Sequence, residues 1–283
     1  MTLWRANLKT DHEENIDSRV FCIRNSIVGI GWQVIFDKET DITSDWYYKQ
    51  AEEKYKINNG DKGWAKAFSA ICYRMQINDL VWSRDLNGIY YLGRITGEWY
   101  YDTSNEASQA DIVNVRACDW HEIGTVEKVP GRVSNSFRGG TIQAVNSLEV
   151  EAYSQYLYNL CLGRSFYSLN NISFSKIFDF VQPDDLEDIV AIYLQLNKDY
   201  LLTPSSSKRS TTKYEYVLIH KRTGREAVVQ VKSNLQLNTD DYSMLESDIF
   251  LFTTSGDYSG SETDTIKMID PHEIENFIFS NRT

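Results

Sequence analysis

Cysteine is scarce in this chain of 283 residues: Cys22, Cys72, Cys118 and Cys161, with no CxxC pair. Four cysteines in a chain of this size make no disulfide framework. The four histidines (His12, His121, His220, His272) are scattered and none pairs with a cysteine at zinc spacing, so no zinc centre is expected. No stretch approaches the ~18 consecutive apolar residues of a membrane span. The opening MTLWRANLKTDHEEN is too polar for a signal peptide. These absences predict a soluble, cytoplasmic protein of a reducing compartment, with no membrane partner. A GxSxG elbow and a GxxxxGK[ST] loop are also missing, and Gly29-Ile30-Gly31 lacks the third glycine of a dinucleotide fingerprint.

Positive charge is in short supply too. The net charge of −11 argues against coating a nucleic acid through bulk electrostatics, though not against a local grip on phosphate. Residues before 148 carry 17 basic and 20 acidic side chains, and the rest 12 and 20. Within that acidic second half, Lys208, Arg209, Lys213, Lys221, Arg222, Arg225 and Lys232 face only Glu215 and Glu226. The basic island marks a phosphate-binding candidate, above all Lys208, Arg209 and Lys213.

Tryptophan divides the chain. All seven (Trp4, Trp32, Trp46, Trp64, Trp82, Trp99, Trp120) precede residue 121. With roughly 150 residues per domain as a guide, two domains are expected, 1–145 and 146–283, joined near Arg138-Gly139-Gly140 before a helix capped by Ser147. The first half reads as short strands rich in β-branched and aromatic residues: Phe21 to Ile23, Ile27 to Phe36, Leu80 to Ser83, Ile89 to Ile95, Glu98 to Tyr101 and Ile112 to Ala117. Helical spacing appears between them, over Ser44 to Tyr55 and Gly63 to Met75. This pattern predicts a small, partly closed mixed β-barrel with a helical insertion.

The second half alternates helix and strand, an α/β pattern. Asp184 to Asn197 carries an apolar stripe, with Glu187 about 100° from Leu186 at its border. Tyr214 to His220, Ala227 to Ser233, Asp248 to Thr254 and Thr265 to Ile269 read as strands. Asp270-Pro271 starts a last helix, running to about Ser280. The loop Lys221-Arg222-Thr223-Gly224 suits a four-residue hairpin connection with Gly224 left-handed. Glu215 then faces Gln230 and shares a face with Lys232, Val217, Ile219 and Val228. The reverse face takes Tyr214, Tyr216, Leu218, Val229 and Val231. A three-residue loop would instead turn Glu215 to the other side.

Carboxylate and amide oxygens are hard ligands suited to Mg²⁺, and a lysine beside them stabilises charge on a phosphate in flight. The plainer alternative makes Lys232 a solvated strand end with Glu215 as its cross-strand partner. Glu215, Gln230 and Lys232, with Glu187 on the preceding helix, resemble the PD-(D/E)XK nucleases in the variant with Gln for the second acid, shared by Mrr-like restriction endonucleases. The resemblance spans about residues 175–279 and implies a restriction-endonuclease-like α/β fold. It implies a catalytic set of Glu187, Glu215, Gln230 and Lys232, and a Mg²⁺ site of Glu215, Gln230 and the Val231 carbonyl. No Asp precedes the lysine motif, a departure from the family pattern.

Gly29-Ile30-Gly31-Trp32, Asn78-Asp79-Leu80-Val81-Trp82 and Tyr91 to Gly97 resemble, more loosely, the PUA-like superfamily with its EVE and YTH domains, over residues 4–145. That likeness implies an aromatic pocket for a flipped, modified base. Trp32, Trp82, Trp99 and Trp120 are candidate stacking faces, and Asp79 or Arg116 candidate hydrogen-bonding edges; each tryptophan has core packing as its alternative. Trp46 and Trp64, on helical spacing, are assigned to the core. Together the two resemblances imply a Mg²⁺-dependent DNA endonuclease of modification-dependent restriction or phage defence, possible as a homodimer. The alternative is a nucleic-acid or small-ligand sensor whose nuclease-like domain is inactive.

Overall fold

The computed structural model describes residues 1–8, 16–37, 39–57, 63–169, 176–204, 206 and 214–281. Backbone contacts divide the chain into two compact units, Met1–Phe180 and Val181–Thr283. The division falls well beyond the joint expected at residue 145, because the helix after that joint packs into the first unit. Among the described residues no helix is long and apolar enough to cross a membrane.

The first unit contains, in order, β1 (Leu3–Ala6), α1 (Ser18–Arg24), β2 (Ile27–Ile30), α2 (Ser44–Ala51), α3 (Gly63–Phe68), β3 (Leu80–Arg84), β4 (Tyr90–Tyr101), α4 (Asn105–Gln109), β5 (Asn114–Gly124), α5 (Gly131–Ser136), β6 (Ile142–Ala144) and α6 (Leu148–Leu162). Its strands form one sheet in the order β2-β5-β4-β3-β1-β6. Among its described residues only β1 with β3 is a parallel pair. The edge strands β2 and β6 are not paired with each other, so the expected barrel is corrected to an open sheet. Both faces are covered, and strand alternation sorts the side chains between them. Trp4 and Val81 join one apolar cluster with Trp64, Phe68 and Ile71. Leu3 and Trp82 join another with Leu92, Val133 and Tyr158.

Several local expectations change for physical reasons. Phe21 to Ile23 is helical: Asp17 accepts hydrogen bonds from the Arg19 and Val20 amides and caps α1, which buries Phe21 and Cys22. The two segments expected as Ile89 to Ile95 and Glu98 to Tyr101 are one strand, β4, with a register shift against β5 between Ile95 and Trp99. The expected strand to Phe36 stops at Ile30, before Trp32 at φ 63°. The helices α2 and α3 each continue into a π-helical stretch, over Glu52–Ile57 and Ser69–Arg74. Ser147 caps α6 through the Val150 amide, as its position predicts, and Gly163 ends it at φ 63°.

The second unit runs α7 (Pro183–Asn197), β7 (Tyr200–Leu202), β8 (Tyr216–His220), β9 (Glu226–Lys232), β10 (Leu237–Asn238), β11 (Asp248–Thr253), β12 (Tyr258–Ser259), β13 (Ile266–Met268) and α8 (Pro271–Ser280). The main sheet is ordered β13-β11-β9-β8-β7, with β10 and β12 as a separate pair. Helix α7 buries Leu186, Val190, Tyr193 and Leu194 and packs on β9 and α8. Asp270 caps α8 through the His272 amide, with Pro271 next. On the opposite sheet face Val228, Ile249, Leu251 and Ile266 cluster with Leu237 and Tyr242. Tyr214, which precedes β8, packs with that cluster rather than on the reverse face expected for it.

Candidate functional site

The β8–β9 hairpin sets the first candidate site. Tyr216 pairs with Val229, Val217 with Val228, and Ile219 with Glu226, the register of a four-residue connection. Gly224 sits at φ 69°, and its amide donates to the His220 carbonyl at 2.9 Å. A side chain at that φ would be strained, so the loop selects glycine. Pairing continues past the start of β8, where the Glu215 amide donates to the Val229 carbonyl at 2.8 Å.

This register brings three polar side chains to one oxygen. Glu215 Oε1 accepts from Gln230 Nε2 at 2.6 Å and from Lys232 Nζ at 2.8 Å. The Gln230 amide is almost wholly buried, while the Lys232 and Glu215 side chains are 37% and 22% exposed. A buried amide and a half-open ion pair on one carboxylate form an anchored base with an open mouth. The backbone closes around it: the Thr254 amide donates to the Lys232 carbonyl at 3.1 Å.

Glu187 reaches the same end from α7. The Tyr216 hydroxyl, on the other face of the hairpin, donates to the Glu187 carbonyl at 3.1 Å and ties the helix to the strand. Burial, then the neighbouring Glu215 charge, pushes the Glu187 carboxyl up to about 7, with Lys232 opposing. Tyr242, which sequence reading passed over, also feels the Glu215 charge; no spacing rule announces it, since it arrives from a short turn across the sheet. Lys208, Arg209 and Lys213 lie outside the described residues. Among the described residues no group of three or more His, Cys, Asp or Glu could hold a metal ion; the oxygen donors here are two carboxylates, an amide and backbone carbonyls.

The aromatic and acidic candidates of the first unit do not meet in one pocket. Trp82 is fully buried and its indole donates to Ser154 at 3.0 Å, so it is core. Asp79 is buried and accepts from the Thr2 amide, the Trp4 indole and the Gln76 amide; its acceptors are spent internally. Arg116, also buried, donates to the carbonyls of Ile71, Cys72 and Gly97. Trp99 packs edge-on to Phe68 at 5.7 Å, and the Trp120 indole donates to the Ile27 carbonyl at 2.8 Å. Trp46 and Trp64 pack in or against the core, as their spacing predicts.

Trp32, by contrast, lines a cavity of about 510 Å³, shared with Ile30, Tyr55, Asp111 and Thr141. Glycines shape it. A Cβ at Gly31 would stand 2.2 Å from the Asp111 carboxylate, and one at Gly140 would meet nothing within 4 Å. Gly139-Gly140, read from sequence as a turn, forms part of the lining. Trp32 and Asp111 both hold left-handed backbone, at φ 63° and 51°, a conformation costly for residues with side chains. Asp111 and Tyr55 carried no motif that could have marked them.

The described residues define a mixed α/β protein with an aromatic-lined cavity in the first unit and a carboxylate–amide–lysine cluster in the second. The model of a family described as Domain of unknown function (DUF8426) matches residues 4–146, and the chain belongs to that family. No curated protein matches, and no solved structure does.

Proposed function

We propose that this protein is a metal-dependent phosphodiester hydrolase acting on DNA, an endonuclease of modification-dependent restriction or phage defence. One observation carries the reading: Glu215 Oε1 holds both Gln230 and Lys232 at the open end of the hairpin. The PD-(D/E)XK resemblance supplies the roles. Glu215, the Gln230 amide and the Val231 carbonyl would hold Mg²⁺, with Glu187 assisting. The donor set fits that ion, which takes hard oxygens and one or two carboxylates. Burial and then the neighbouring Glu215 charge keep Glu187 protonated to about 7, and a cation beside it would relieve the second of these. When bound, Mg²⁺ supplies Lewis-acid polarisation of a phosphate oxygen and a water of lowered pKa. Lys232 swings from Glu215 to donate to the phosphate as negative charge builds there. Gln230, locked by burial, keeps Glu215 aimed.

The first unit, in this reading, is the PUA-like recognition part, and the Trp32 cavity holds the base. An aromatic face supplies stacking worth ~1–3 kcal/mol, and Asp111 accepts from a base edge. Cutting both strands with one site per chain would favour a homodimer or a transient pairing of two chains.

A second reading is favoured by the donor count. With two acids and a glutamine, the cluster is also that of a nucleic-acid or small-ligand sensor whose nuclease-like unit has lost its metal. Incubating modified and unmodified DNA with Mg²⁺ separates the two. Lys232→Ala is expected to slow cleavage by about 10²–10³-fold while leaving DNA affinity within a small factor. Cleavage at the native rate by that variant places the active site elsewhere, and no cleavage by the native chain favours the sensor.

A further inference from the structure

A second cavity in the Val181–Thr283 unit, of about 440 Å³, lies at the opposite end of the sheet from Gln230 and Lys232. Asp248, which lines it, pairs with Ala227 at the far end of β9, whereas Lys232 pairs with Thr253. Its volume falls within the ~300–1,000 Å³ of small-molecule sites. Tyr193, Tyr200 and Phe250 contribute aromatic walls, and Met268 and Ile269 an apolar patch. The Tyr200 ring meets Phe250 edge to face at 5.2 Å and His220 at 5.0 Å.

The charged lining is predominantly acidic. Asp248, Glu262, Asp264 and Glu273 line the cavity against Lys198 and Lys267. Both tyrosine hydroxyls are already turned onto acids, Tyr193 onto Glu273 and Tyr200 onto Asp248. The rings are therefore held in place. The chain also demonstrates which chemistry these walls accept. Lys198 Nζ rests 5.7 Å from the Tyr193 ring centre and 3.4 Å from Glu273. Arg225, outside the lining, holds Asp248 at 2.9 Å through its guanidinium. Cations thus lie against the cavity's acids at two places, one of them also over a ring.

We propose that this cavity binds an alkylguanidinium, a planar delocalised cation on an apolar stem. A guanidinium is weakly hydrated, stacks on aromatic faces and forks onto carboxylates, so walls and rim are used together. The stem covers Met268 and Ile269, and the head meets Glu262 and Asp264 on the segment before β13. A phosphate or carboxylate ligand is disfavoured by four acids set against two lysines. The group arrives either on a small molecule or on an arginine side chain. The site is independent of the phosphodiesterase reading, since none of its residues belongs to the Glu215 cluster.

The test is an NMR titration of the full chain with N-butylguanidinium, and with N-butylurea as its neutral planar counterpart. Saturable shifts at Tyr200, Phe250 and Met268 are expected, with the urea weaker by about tenfold or more. The double variant Glu262→Gln, Asp264→Asn keeps an acceptor for the Met268 amide, which bonds Glu262 at 2.7 Å, and is expected to weaken the guanidinium by about tenfold. A control with the same charge change at exposed acids outside the cavity, Glu246→Gln with Asp257→Asn, is expected to leave affinity within about twofold, since screening by salt is strong at that range. Equal binding of the urea, equal loss in the control, or shifts elsewhere overturns the proposal. N-acetylarginine methylamide then tells the sources apart: binding as tight as butylguanidinium points to an arginine side chain, and exclusion to a free small molecule.

Discussion

The two units handle buried polarity in opposite ways. In Met1–Phe180 the interior charges are saturated: Asp79 accepts from three donors, and Arg116 donates to three carbonyls and to Glu98. Each holds distant parts of the chain together. In Val181–Thr283 the polarity converges instead on one carboxylate oxygen, with a lysine 37% exposed beside it. The difference separates scaffolding from chemistry. A buried acid whose lone pairs are filled by its own chain has nothing left to offer a ligand. An acid whose partners include a half-exposed, movable lysine keeps a group free to change partner.

Substitution in the first unit is therefore expected to act on stability. The largest effect belongs to Trp82→Ala, which empties a fully buried site and removes the bond to Ser154; a loss of about 3–5 kcal/mol in denaturant unfolding is expected. Trp32→Ala is the contrast: a smaller stability loss, with loss of nucleobase affinity measured by fluorescence titration. If the two exchange roles, the cavity is not the recognition site. Asp79→Ala comes next. It strands the buried Trp4 indole, whose bond to Asp79 is 2.8 Å, at about 1–3 kcal/mol, with no effect on cleavage chemistry beyond lost folded protein. A selective loss of activity at full stability would reassign Asp79 to function.

Legibility in the sequence followed the range of the interaction. The hairpin register was readable because a four-residue loop with one left-handed glycine fixes it locally, and Asp270-Pro271 announced α8 for the same reason. Trp82 and Trp32 could not be told apart, since both are single tryptophans beside strand residues. Which one faces the core depends on helices packing over both faces of the sheet. Barrel closure failed likewise. It turns on whether β2 meets β6, and short strand patterns say nothing about pairing between strands so far apart in the chain. The joint was misplaced because α6 docks through Ser154 to Trp82 and through Tyr158 to Arg94 and Asp119, partners too distant for any window to see. In the candidate site, Glu215, Gln230 and Lys232 were visible through alternation. Asp111 and Tyr242 were not, because they reach their sites from irregular segments.

The smallest expected effect tests the open end of the hairpin itself. Burial and Glu215 raise the Glu187 carboxyl to about 7 in the folded chain, against about 4.3 for an unperturbed glutamate. The folded state therefore binds the proton more tightly, and stability must fall as pH rises between those values. Glu187→Gln removes that titration. Without divalent cations the variant is expected to unfold at higher temperature than the native chain at pH 8, and the two are expected to converge near pH 3, where the native glutamate is protonated in both states. Adding Mg²⁺ at pH 8 is expected to raise the native midpoint, as a cation relieves the repulsion between Glu187 and Glu215, and to do so less in Glu215→Ala. Identical pH profiles for Glu187→Gln and the native chain would mean that Glu187 lies free in solvent. The contrast between spent and available acids would then rest on Glu215 alone.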